Sequence, residues 1–264
     1  MKIDRVRAQR AFAAYTAHYN AADPKVKLKI DHTYRVAALC ARIARSLSLP
    51  PEDVDLAWLC GLLHDVGRFE QLRRYNTFID SQSVSHAALS VQVLFDEGRI
   101  RDYVDDPAED ALLCTAVEWH SAFRLPEKLD ARTRTFSQLL RDADKIDILR
   151  VNVETPLEEI YNVSTVALRQ SPVTPAVLDA FYEHHCVLHS LKKYPADNVV
   201  GHASLVFELC YPESLRIVDE QGWLWQLLDF KTDNPATAAA FTAVTAEMHR
   251  WLGEHGAAGP HGSH

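Results

Sequence analysis

The sequence lacks long apolar runs and is sparing with residues that break helices. No stretch approaches the roughly 20 apolar residues of a membrane-spanning helix, and residues 1–7 have no apolar signal core. Glycine and proline number only 9 and 12, which argues against many tight hairpins. The five cysteines are odd in number and form no C-x-x-C pair. We therefore expect them to be small core residues in a reducing compartment.

Positive charge is also in deficit. The chain has 28 Lys and Arg against 36 Asp and Glu, a formal net charge of -8. This balance does not indicate a nucleic-acid partner or a membrane surface. Hydrophobic residues make up 47% and charged residues 24%, as in ordinary globular proteins. We expect a cytoplasmic protein with a small-molecule substrate, and the sequence leaves a homodimer open.

The residues that are abundant recur at helical spacing, which predicts an all-α fold. Asp23-Pro24 supplies a cap and a first-turn proline for a helix that continues to Leu47, and Pro51 starts the next one, which ends near His64-Asp65. Further helices are predicted for residues 5–19, 67–75, 83 or 85 to 98, 106–120, 130–150, 176–191 and 236–252. Residues 1–150 are expected to form a helical core, 151–252 a helical extension packed on the same domain, and 253–264 a disordered tail.

A His-Asp pair stands where one apolar helix should end. Burying an unpaired carboxylate is costly, so Asp65 needs a cation or several hydrogen-bond donors nearby. Four more polar side chains lie on the apolar stripes of other predicted helices: His32, His86, His120 and Asp144. A single histidine in such a stripe is usually a hydrogen-bonded core residue. The inward placement of six such groups on five helices is explained more simply by one metal centre. Helix bundles form metal centres in this way, from side chains on facing helices.

The residue types of this set suit transition metals. Imidazole and carboxylate favour Fe, Mn, Co, Ni or Zn over Mg or Ca. Six protein ligands are too many for one catalytic ion with an open position, but they suffice for two ions that share a carboxylate. Asp65, central in the sequence and adjacent to His64, is the expected bridge.

The order His…His-Asp…His…His…Asp resembles the HD-domain superfamily of metal-dependent phosphohydrolases over about residues 28–150. The matching motifs are His32, the doublet His64-Asp65, His86, His120, and Asp144 in an Ala-Asp-Lys segment. The resemblance implies an all-α helical bundle. It also implies that His32, His64, Asp65 and Asp144 hold one ion and that Asp65, His86 and His120 reach a second. No Gly-Tyr-Pro follows the extra histidines, so the cyclic-dinucleotide phosphodiesterase branch is not supported.

The leading functional expectation is hydrolysis of a small, nucleotide-like phosphomonoester or phosphodiester by a metal-bound hydroxide. Besides Asp65, the predicted catalytic residues are Arg68, which would bind a phosphoryl oxygen, and Lys145, which would neutralise charge or protonate the leaving group. For both, a solvated helix face or an ion pair is an equally weighted interpretation.

Two alternatives stay open at this point. The same ligand set resembles that of HD-type di-iron oxygenases, which cleave C–C or C–P bonds with dioxygen. In the other alternative the metals only stabilise the helical bundle of a non-catalytic, nucleotide-sensing module. An adjacent arginine and six ligands argue against a closed structural site, which normally uses four ligands.

Overall fold

The computed structural model describes residues 2–256, which form helices joined by loops and turns and contain no strand. The all-α prediction is confirmed. Within these residues, no helix combines the length and the apolarity that crossing a membrane requires. Of the predicted tail, residues 253–255 belong to the last helix, and residues 257–264 lie outside the described residues.

The chain divides into two compact units between Asp144 and Lys145. The prediction that residues 151–252 pack on the same domain as residues 1–150 stays a prediction. The helices up to the dividing point are α1 (Arg5–Thr16), α2 (Pro24–Ser46), α3 (Pro51–Leu63), α4 (Val66–Tyr75), α5 (His86–Val91), α6 (Ile100–Tyr103), α7 (Asp110–Trp119) and α8 (Ala131–Glu154), within which the division falls. A 3-10 turn (Asp80–Gln82) precedes α5, and a π-turn (Gln92–Asp96) follows it.

The second unit contains seven further α-helices among the described residues. They are α9 (Leu157–Tyr161), α10 (Thr165–Arg169), α11 (Pro175–Tyr182), α12 (Pro195–Ala203), α13 (Pro212–Gln221), α14 (Trp223–Leu228) and α15 (Pro235–His255). Within this unit α12 packs against α11 and α14, and α15 packs against α11 and α14. A buried carboxylate, Asp197, ties the start of α12 to the start of α11. It accepts hydrogen bonds from the backbone N–H and the hydroxyl of Thr174, both at 2.7 Å.

Short polar residues cap three helices of the first unit, and the caps at Asp23 and Ser85 are as the sequence predicts. The carboxylates of Asp4 and Asp23 accept hydrogen bonds from first-turn N–H groups of α1 and α2, and the Ser85 hydroxyl does the same for α5. Pro24 and Pro51 occupy first-turn positions, where the missing N–H costs nothing.

Two predicted helices differ from the structure. The helix expected from Asp106-Pro107 begins only at Asp110, because the Asp106 carboxylate accepts from Ala108 N (2.9 Å) and folds these residues into a turn. The helix expected for residues 176–191 ends at Tyr182. His184 there adopts a left-handed conformation (φ 59°), and its Nε2 lies 2.6 Å from a Glu247 carboxylate oxygen on α15.

Close helix crossings position the residues around the His-Asp pair. α2 packs along α3, and α4 packs on α5. A Cβ on Gly61 would lie 2.6 Å from Ala37 Cα of α2, and a Cβ on Gly67 would lie 2.4 Å from Ser90 N of α5. Both glycines therefore permit a backbone approach that no other residue allows. Gly67 lies in the first turn of α4, close to the start predicted for this helix.

Candidate metal centre

The six candidate ligands converge in the first unit. They reach the centre from five helices. His32 lies in α2, and His86 is the first residue of α5. His64 and His120 directly follow the last residues of α3 and α7. All six are buried, with exposures of 9% or less: His32, His64, Asp65, His86, His120 and Asp144. The predicted clustering of these residues is therefore what the fold produces.

The two carboxylate oxygens of Asp65 face different histidines. Oδ2 lies 3.7 Å from His32 Nε2 and 3.6 Å from His64 Nε2. Oδ1 lies 3.6 Å from His86 Nε2 and 3.7 Å from His120 Nε2. These separations are too long for hydrogen bonds, and Oδ1 is a buried acceptor with no hydrogen-bond partner among the described residues.

Asp144 completes one side of the cluster. Its Oδ1 lies 3.2 Å from His32 Nε2 and 3.7 Å from His64 Nε2. The ligand atoms of His32, His64 and Asp144 all fall within 4.8 Å of one another, as do those of His64, Asp65 and His120. Each group of three could hold a metal ion, and His64 belongs to both.

Hydrogen bonds fix the tautomers of three of the histidines. His64 Nδ1 lies 2.7 Å from the carbonyl oxygen of Gly61, and His120 Nδ1 lies 2.7 Å from that of Val117. A carbonyl can only accept, so each Nδ1 carries the proton and each Nε2 keeps its lone pair. His86 Nδ1 lies 2.6 Å from the Asp80 carboxylate, which sets the same tautomer.

The Nε2 atoms of neighbouring imidazoles lie close to one another. Nε2 of His86 lies 3.0 Å from Nε2 of His120, and Nε2 of His64 lies 3.3 Å from Nε2 of His32. With the proton on Nδ1 in both His86 and His120, two Nε2 lone pairs face each other, and a cation between them would relieve their repulsion. Together with the unpartnered Oδ1 of Asp65, this donor set fits divalent metal ions.

The ionisation states suit metal binding at neutral pH. Burial lowers the pKa of His64 to about 3 and that of His86 to about 4, so both rings are neutral. Burial raises the pKa of the Asp65 carboxyl, but the Lys29 ammonium and His64 outweigh that effect and hold it well below its ordinary value. The pKa of Asp144 is likewise lowered, because its hydrogen bond with His32 and the nearby His64 outweigh burial. Neutral imidazole and ionised carboxylate are the forms that bind metals.

Lys29 also belongs to this site, although it is not among the residues predicted from the sequence. Its Nζ lies 2.7 Å from Asp65 Oδ2 and 5.5 Å from the centre of the Phe78 ring. Lys29 stands three residues before His32 on α2, so the two share one helix face. That spacing is the signal that could have identified it.

Arg68 lies beside Asp65, with its Nε 3.6 Å from Asp65 Oδ1. Its Nη1 donates to Gln71 Oε1 (2.9 Å), Phe78 O (2.6 Å) and Asp80 Oδ1 (3.0 Å). The guanidinium is thus anchored to the loop between α4 and α5, and its predicted role as a phosphoryl ligand stays a prediction. Lys145, half-buried and directly after Asp144 on α8, also keeps its predicted role as a prediction.

The fold and this centre define an all-α protein with a buried cluster of histidines and aspartates suited to divalent metals. Residues 30–149 match the family model of the HD domain, and all six candidate ligands fall within the matched range. This stretch of the chain is therefore similar to the HD domain, a family made up mostly of metal-dependent hydrolases. No curated protein and no solved structure matches the chain significantly.

Proposed function

We propose that this chain is a metal-dependent phosphohydrolase that cleaves a small phosphate ester of the nucleotide type at a two-ion centre. The observation that carries the proposal is the position of Asp65, whose two carboxylate oxygens face separate pairs of histidine Nε2 atoms. A carboxylate placed in this way suits a bridge between two ions. His32, His64 and Asp144 would hold one ion with Oδ2, and His86 and His120 would hold the other with Oδ1.

When bound, two such ions supply a nucleophilic water at neutral pH and polarise the phosphoryl oxygens. The residues of the chain orient the ligand atoms, offset charge and donate a proton. His64 and His86 stay neutral, and the hydrogen bonds at their Nδ1 atoms keep the Nε2 lone pairs directed at the centre. The Lys29 ammonium and the Arg68 guanidinium offset the negative charge that Asp65 brings to the site. Lys145 is the proposed proton donor to the leaving alcohol.

The test is a screen of phosphomonoesters and phosphodiesters with Mn²⁺, Fe²⁺, Co²⁺ or Zn²⁺, with and without dioxygen. We expect hydrolysis that needs a metal, is lost with a chelator, and is independent of dioxygen. Asp65→Asn removes the charge of the bridge, so this variant should lose turnover and bind fewer ions by elemental analysis. Asp96→Asn, an exposed carboxylate in the same unit, is the matched control and should keep both.

Either of two results would overturn the proposal. One is turnover that requires dioxygen together with iron, which would assign the centre to oxygenase chemistry. The other is full metal content with no hydrolysis of any ester in the screen.

A further inference from the structure

A carboxylate outside the ligand cluster contacts one of the ligands directly. Asp80 opens the 3-10 turn Asp80–Gln82 in the loop between α4 and α5. Its Oδ2 lies 2.6 Å from His86 Nδ1 and accepts from the backbone N–H of the same residue at 3.3 Å. No local pattern in the sequence connects Asp80 with a histidine that follows six residues later.

The other oxygen of Asp80 is held from the α4 side. Oδ1 accepts from Arg68 Nη1 at 3.0 Å and from Gln71 Nε2 at 2.9 Å. Gln71 is fully buried, and its Nε2 also donates to Ser83 Oγ and to Val84 O. The Asp80 carboxylate is therefore fixed in position by four donors on its two oxygens.

His86 needs such a partner because of its place in the fold. His64 and His120 follow the last residues of helices, where Nδ1 reaches the carbonyl three residues earlier. His86 is the first residue of α5, and the chain before it is a loop, so no carbonyl of a preceding helical turn is available. The loop supplies a carboxylate instead.

We propose that Asp80 is the positioning residue of His86: it holds the ring with the proton on Nδ1 and directs the Nε2 lone pair at the ion facing Asp65 Oδ1. This inference rests on the two-ion centre of the proposed function. A carboxylate that accepts from a metal-binding histidine fixes the ring orientation and increases the basicity of the ligand atom. Asp80 also holds Arg68, whose Nε lies 3.6 Å from the same oxygen of Asp65.

The test is Asp80→Asn, which preserves the shape of the side chain. An amide offers one acceptor where the carboxylate offers two. The amide oxygen is drawn to the charged Arg68 and to Gln71, so the amide nitrogen faces His86 Nδ1 and disfavours a proton there. We expect a 10- to 100-fold weaker affinity for one of two ions, as is typical when such a partner is lost, and an unchanged affinity for the other. Calorimetric titration of the metal-free protein with Co²⁺ or Mn²⁺ measures both affinities.

A second measurement does not depend on metal. Nitrogen–proton correlation spectra of the metal-free protein report the tautomer of each histidine. We expect the Nδ1–H form of His86 to be depleted in Asp80→Asn, while His64 and His120 keep theirs. Ser83→Ala is the matched control: it removes a partner of Gln71 in the same loop without touching His86, and it should leave the tautomers and both affinities unchanged.

The outcomes separate this inference from the proposed function. Two unchanged affinities and an unchanged tautomer in Asp80→Asn would overturn the role of Asp80, whatever the enzyme hydrolyses. Selective weakening of one ion in a protein that hydrolyses no phosphate ester would support Asp80 and reject the proposed function. Equal weakening of the affinities for both ions would count against the role of Asp80, because a general loss of structure would then account for the effect.

Discussion

At the scale of the residue, burial decides which form each imidazole takes. His64 and His86 are buried, so water cannot solvate a positive charge on either ring. In the unfolded chain each ring would gain a second proton near pH 6.5, but in the folded chain it stays neutral at that pH. The single ring proton lies on Nδ1, which donates to the Gly61 carbonyl in His64 and to the Asp80 carboxylate in His86. A set of neutral rings with convergent lone pairs therefore exists before any ion binds.

This exclusion of protons predicts acid sensitivity of the metal-free protein. The pKa of His64 is lowered to about 3 and that of His86 to about 4 in the folded state. Between these values and pH 6.5 the unfolded chain binds more protons, so the free energy of unfolding falls as the pH is lowered. We expect each ring to contribute up to about 1.4 kcal/mol per pH unit. Denaturant unfolding in chelator from pH 7.5 to 4.5 measures the slope.

Two variants make this experiment specific. His86→Gln removes one of the excluded protons and should flatten the slope, whereas His18→Gln changes an exposed ring and should not. A free energy of unfolding that is constant over this pH range would contradict the prediction.

At the scale of the element, the centre depends on how closely pairs of helices approach. α3 carries His64 at its end and lies against α2, which carries His32, with Gly61 at the crossing. α4, which begins directly after Asp65, lies against α5, which begins with His86, with Gly67 at that crossing. The Ser90 hydroxyl strengthens the second crossing, since it accepts from Gly67 N and donates to His64 O, both at 2.9 Å.

Gly67→Ala tests this dependence. The added Cβ would lie 2.4 Å from Ser90 N and 2.6 Å from His86 O, so α4 and α5 must move apart. We expect a loss of about 1–3 kcal/mol or more in the free energy of unfolding. We also expect weaker metal binding, because His86 moves away from Asp65. Denaturant unfolding and metal titration measure the two effects.

Gly253→Ala is the matched control within the helix α15. A Cβ there meets no atom within 4 Å, and alanine is the better helix former, so stability should rise by up to about 1 kcal/mol. Equal effects of the two substitutions would show that the close approach at Gly67 does not matter.

At the scale of the whole molecule, metal binding should act as a stabilising ligand. The proposed ligands come from five helices that begin in the first unit, so ions would hold together elements that are far apart in the chain. A ligand at 100 times its dissociation constant adds about 2.7 kcal/mol to the free energy of unfolding. We expect the melting temperature to rise by several degrees when Mn²⁺ or Co²⁺ is added to protein freed of metal.

The rise in melting temperature on metal addition should disappear when the Asp65 carboxylate is removed. Asp65→Asn should show little or no rise in melting temperature with metal, while Asp96→Asn should behave as the wild type. A rise of equal size in Asp65→Asn would mean that the ions bind elsewhere on the molecule.

Most of the helices, and the side chains that face inward from them, can be predicted from local sequence patterns. Caps such as Asp23 and Ser85 and first-turn prolines act on their own helix, so local pattern suffices to predict them. Inward placement of His32 and His86 follows from helical periodicity in the same way. Local signals also mislead: Asp106-Pro107 has the composition of a helix start and forms a turn instead.

The distances between the inward-facing groups depend on how the helices pack against one another. The two faces of Asp65, the ion pair with Lys29 and the partnership of Asp80 with His86 are distances between separate elements. Such distances depend on crossings such as those at Gly61 and Gly67, where backbone meets backbone. Periodicity specifies which face of a helix is buried, but packing alone specifies which atoms on that face come within reach of one another.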